Sequence, residues 1–91
     1  MEITREGVRR LLFGDEDVLS EKEQKSIRRY KLNRALVLGN LYKRKVKIHL
    51  KTTEGVFKRL DTTIWGVGEE FVSLKDGVSV PIRGITDIDF S

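Results

Sequence analysis

His49 is the only histidine in this 91-residue chain, so proton-transfer chemistry would have to start there. It lies between Lys47 and Lys51, whose charges favour the neutral ring. A general base also needs a partner to give or take the proton, and no acid, thiol or serine is placed beside it. The carboxylates come as two pairs, Glu69-Glu70 and Asp87 with Asp89. The i, i+2 spacing of the second pair puts both groups on one face of a strand, but two oxygen ligands do not hold a divalent cation. The chain has no cysteine, which removes disulfides, thiol nucleophiles and thiolate-metal sites together. These residues point to a non-enzymatic protein with no metal, no cofactor and no small-molecule substrate.

The basic residues are the stronger signal. Residues 1–21 carry three basic and six acidic side chains, residues 22–59 thirteen and two, and residues 60–91 two and six. A net charge of +4 therefore hides a strongly basic middle between acidic ends. Such a middle suits nucleic acid or another anionic surface, or else the ends fold back and neutralise it. Arg28, Arg29, Lys31 and Arg34 would share one helix face, with Lys43, Arg44 and Lys45 just beyond. Trp65 could stack a base beside these cations, as single-strand-binding surfaces do.

The elements that must position these residues follow from periodicity. Val8, Leu11 and Leu12 predict a short helix over Thr4–Phe13, closed near Gly14. Ser20-Glu21-Lys22-Glu23 has the form of a capping box opening a helix from about Glu21 to about Leu38, with Gly39 in the closing left-handed position. Gly39-Asn40 also fits a hairpin turn, which would make residues 35–38 a strand; the lack of β-branched runs and turn residues in Ser20–Leu38 favours the helix. From Lys43 the period becomes two. Val46, Ile48 and Leu50 face one way, and Lys45, Lys47, His49 and Lys51 the other.

Further strands are expected over Val56–Trp65, Phe71–Leu74, Val78–Ile82 and Ile85–Phe90. Gly66-Val67-Gly68 bends the chain, and Asp76-Gly77 makes a hairpin. Pro81, with no N–H to donate, marks an edge or bulge. Asp87 and Asp89 would form cross-strand ion pairs with the first strand's cations.

The order of helix, lysine-rich strand and four more strands, with Ile82-Arg83-Gly84 before the last, resembles the Sm-like fold over Leu32–Phe90. Leu32-Asn33-Arg34-Ala35-Leu36 is similar to that family's leading helix. The resemblance implies a bent five-stranded barrel and assigns Arg83 to an RNA pocket. The Asp and Asn that read the base in that family are replaced here by Val67 and Phe71. Residues 29–41, of the form R-Y-x-L-x-x-A-L-x-L-G-N-L, also resemble the core of a group of small uncharacterised bacterial proteins, which implies no activity.

The resulting expectation is an α+β chain of one domain, a helical part over 1–42 and a barrel over 43–91. Two N-terminal helices would pack on a five-stranded antiparallel Sm-like barrel. No apolar run approaches the roughly 20 residues of a membrane span, and residues 1–6 lack a signal-peptide layout, so a cytoplasmic protein is expected. Its partner would be nucleic acid, bound without sequence readout through the basic surface. The alternative is another protein or a second copy, added at the free edge of the fourth strand.

Overall fold

The computed structural model describes residues 7, 11–75 and 77–90. Among them the order is one α-helix, α1 (Lys22–Tyr42), then β1 (Val46–Lys51), β2 (Phe57–Thr62), β3 (Ile64–Val67), β4 (Phe71–Leu74), β5 (Ser79–Pro81), a 3-10 turn (Ile82–Gly84) and β6 (Ile85–Asp89). The strands form two antiparallel three-stranded sheets, in the orders β2-β1-β6 and β3-β4-β5.

This corrects the expected five-stranded barrel under two helices. The strand foreseen over Val56–Trp65 is two strands. Thr63 leaves the ladder between them, and its carbonyl accepts the Lys75 N–H at 3.1 Å. The chain therefore steps from one sheet to the other at Thr63, and six strands stand in two sheets that do not close. The foreseen helix over Thr4–Phe13 falls mostly outside the described residues, and Leu11–Phe13 are not helical.

α1 runs straight through Gly39-Asn40, so the hairpin alternative falls. The capping box does not form, because Glu21 rather than Ser20 is the N-cap and no side chain caps the helix. Lys43 takes the left-handed position expected of Gly39, with φ 54°. Its N–H reaches the Gly39 carbonyl at 3.0 Å, and the next N–H, from Arg44, reaches Leu38 at 3.2 Å. Those bonds satisfy helix carbonyls that would otherwise lack partners. Gly39 instead lies on the buried face, where a Cβ would strike the Ile64 backbone carbonyl and crowd Thr63. Its missing side chain lets α1 approach the start of β3.

The core follows from alternation. Val46, Ile48 and Leu50 of β1 are buried, as foreseen, and Leu60 of β2, Val72 and Leu74 of β4 and Ile85 and Ile88 of β6 are buried with them. Leu32 and Ala35 close the core from the helix. Apolar side chains buried in this way contribute about 1.5–3 kcal/mol each. α1 shows the core only a narrow stripe, Arg28, Leu32, Ala35 and Gly39.

Candidate functional site

The basic helix face divides once the chain is folded. Arg28 is buried at 6% exposure, held by Asp17 through both terminal nitrogens: Nη1 donates to Oδ1 at 2.8 Å and Nη2 to Oδ2 at 2.6 Å. Nη1 also donates to the Ile85 carbonyl at 2.8 Å. Burial would raise the Asp17 pKa. The Arg28 hydrogen bonds, the Leu19 N–H and the charges of Arg28 and Lys25 outweigh it, so the carboxyl lies below its ordinary value.

Two more of the expected cations are engaged. Arg29 donates to the Gly68 and Glu69 carbonyls at 2.7 and 3.0 Å. Lys31 pairs with Asp87 at 2.7 Å. Burial would also raise Asp87. The hydrogen bonds from Lys31 and the Ile88 N–H, with the Lys31 and His49 charges, bring it below its ordinary value. Asp89 lies 2.7 Å from His49 Nε2, a first-strand partner as foreseen, whereas Asp87 is taken by Lys31 of α1 and not by a cation of the first strand.

Arg83 is committed too. Its Nε donates to the Gly14 carbonyl at 2.5 Å, and its own carbonyl accepts the Val18 N–H at 2.9 Å. A Cβ on Gly84 would enter the Phe13 ring. Leu11–Leu19 therefore crosses the Ile82–Gly84 turn as a strap, tied at its start by the Leu12 carbonyl to the N–H and hydroxyl of Thr53. Phe13 of the chain itself packs on Gly84, and Arg83 lines a cavity of about 160 Å³ that it shares with the carboxylates Asp17, Glu69 and Glu70.

What remains lies beyond the end of α1. Arg34, Arg44 and Lys45 line a cavity of about 190 Å³ with Leu38, Val46 and Phe90. Lys43–Lys45 belong to the connection before β1, not to the strand as foreseen. Among the described residues no carboxylate lines this cavity. The Arg34 guanidinium stands 5.9 Å from the centre of the Phe90 ring, within cation–π range. Phe90, two residues beyond the buried Ile88, is 38% exposed and forms one side of the cavity. Its alternation with the buried Ile88 could not reveal this, because the strand stops at Asp89.

The nearby helix end carries about half a negative charge. Several full positive charges outweigh it, so the local potential is positive. A second, more open depression of about 440 Å³ is lined by Lys22, Lys25, Ser26, Arg28, Arg29 and Ile82. Two of its cations are already bound to protein oxygens. Trp65 is 51% exposed on β3. The two cation–ring contacts among the described residues, Arg34 on Phe90 and Lys51 on Phe57, do not involve it.

No three His, Cys, Asp or Glu side chains gather to hold a metal ion among the described residues. No helix of the described residues is long and apolar enough to cross a membrane. Comparison with protein-family models, with curated proteins and with solved structures finds no match for this chain.

Proposed function

We propose that this chain is a non-enzymatic module that binds a polyanion of the nucleic-acid class at the end of α1. The observation that carries this reading is the cavity of Arg34, Arg44 and Lys45 beside Phe90, with no carboxylate among the described residues of its lining. Phosphate oxygens would meet the three cations and exposed Lys43, while the half-exposed ring offers a face to a base. Among the described residues the lining holds no Asp, Asn or Gln to fix a base edge, so affinity should depend on salt far more than on sequence.

The test is a fluorescence-anisotropy titration of a single-stranded oligonucleotide over a range of salt. About four phosphate contacts give a log–log slope of about −3, from about −0.7 per contact. No binding at low salt, or affinity indifferent to Arg44→Glu with Lys45→Glu, would sink the reading.

Addition of a partner strand at β5 is the second reading, since β5 is the edge of its sheet. Hydrogen bonds from Leu74 N–H to Val78 and from Ile82 N–H to Glu70 leave Ser79 and Pro81 pointing their backbone groups away from β4. Pro81 has no N–H, so this three-residue edge offers one donor, that of Ser79. That is a weak template for a long added strand.

A further inference from the structure

The cavity beyond α1 gathers more positive charge than one phosphate within a strand can neutralise. Arg34, Arg44 and Lys45 converge on it from the helix and from the connection before β1. Among the described residues no carboxylate pairs with any of the three, and Asp89, next to Phe90, is held by His49 at 2.7 Å. Against the half negative charge of the helix end, the excess is about two and a half charges. A phosphodiester within a strand brings one negative charge. A terminal phosphomonoester brings about 1.5 to 2 at neutral pH, with three oxygens that accept hydrogen bonds.

We infer, resting on the polyanion reading above, that this cavity takes the terminal phosphomonoester of a single strand rather than a phosphate within it. Size supports the choice that charge makes. At about 190 Å³ the cavity is smaller than the roughly 300–1,000 Å³ that encloses a drug-sized ligand. It has room for one phosphate and part of its sugar, and the next phosphate, a full sugar away, stays outside. A phosphate within a strand also needs two exits from the cavity, whereas an end needs one. Arg34 and Arg44 can each grip two phosphate oxygens through the paired donors of a guanidinium. Leu38 and Val46 back the cavity with apolar surface, and the lower local polarity strengthens each charge contact. The terminal base then stacks against the exposed part of Phe90, and Lys43, outside the cavity, meets the second phosphate.

The test titrates the full chain with one single-stranded sequence carrying a 5′-phosphate, a 3′-phosphate or hydroxyls at both ends. The hydroxyl-ended strand is made one nucleotide longer, so that all three carry the same number of phosphates. Anisotropy at low salt should show at least one phosphorylated form binding about tenfold tighter than the hydroxyl-ended strand. Arg44→Glu should abolish that preference, and Lys75→Glu, at an exposed position of the β4–β5 turn, should keep it. Inorganic phosphate should displace the phosphorylated strand better than chloride does at equal ionic strength. Equal affinity for all three forms would overturn binding of the end and leave the polyanion reading standing. A preference that survives Arg44→Glu, or phosphate that competes no better than chloride, would overturn it as well. If no form binds, both readings fall.

Discussion

Asp17 and Arg28 are joined by two hydrogen bonds of 2.8 and 2.6 Å, and this pair ties the strap before α1 to the helix. Arg28 is the one arginine on the helix's buried stripe, and its Nη1 continues to the carbonyl of Ile85 in β6. Strap, helix and sheet therefore meet at a single guanidinium. Asp17→Asn leaves a buried cation short of its counter-charge and should cost about 3 kcal/mol. Chemical denaturation checks this, with Glu16→Gln as an exposed control expected to be near neutral.

Acid should expose the same pair. Asp17 and Asp87 both sit below their ordinary pKa in the folded chain. The unfolded chain, with carboxyls near about 3.9, takes up protons first as the pH falls. The stability they supply is complete above that value and is lost as pH drops through the folded pKa values. Thermal midpoints should hold steady from neutral pH to about 5 and fall steeply below about 4. The acid limb should be shallower in Asp17→Asn.

Gly39→Ala tests the close approach of α1 to β3. Alanine favours an isolated helix by about 1 kcal/mol. Here its Cβ meets the Ile64 backbone carbonyl, which cannot move aside as a side-chain tip can. A net loss of about 2 kcal/mol is expected in denaturant unfolding. An increase in stability would mean that the helix does not pack there.

Lys43→Gly separates folding from binding. Lys43 holds a left-handed backbone at φ 54°, a conformation that glycine adopts without strain. The substitution should raise stability by about 0.5–1 kcal/mol. It also removes a cation beside the cavity, so oligonucleotide affinity should fall while the thermal midpoint rises.

Arg83 and Arg44 should respond in opposite ways. Arg83 is spent on the Gly14 carbonyl, so Arg83→Gln should leave oligonucleotide affinity within about twofold and lower stability. Arg44→Glu should lower affinity about tenfold at low salt with little effect on unfolding. Anisotropy and thermal melts on the two variants decide it. The reverse pattern would return the binding surface to the Ile82–Gly84 turn.

The local rules made much of the fold legible. The two-residue alternation of Val46, Ile48 and Leu50 marks a half-buried strand in any context, and Pro81 can stand only where its missing N–H is not needed. The pairing of β1 with β6 also came out as expected, with Lys47 opposite Asp89. The strand over 71–74 needed nothing beyond its own residues. Tertiary contacts decided the rest. Thr63 looks like any residue of an alternating strand, and only the pull of two separate sheets takes it out of the ladder. Gly39 reads as a helix stop, yet a glycine equally suits a backbone crossing, and the position of β3 settled which. Arg28, Arg29, Lys31 and Arg34 form one charged run in sequence. Asp17, the Gly68 carbonyl and Asp87 come from distant parts of the chain, and their arrival withdraws three of these cations and leaves Arg34 to the cavity with Phe90. Periodicity says which way a side chain points; only packing supplies the partner it meets there.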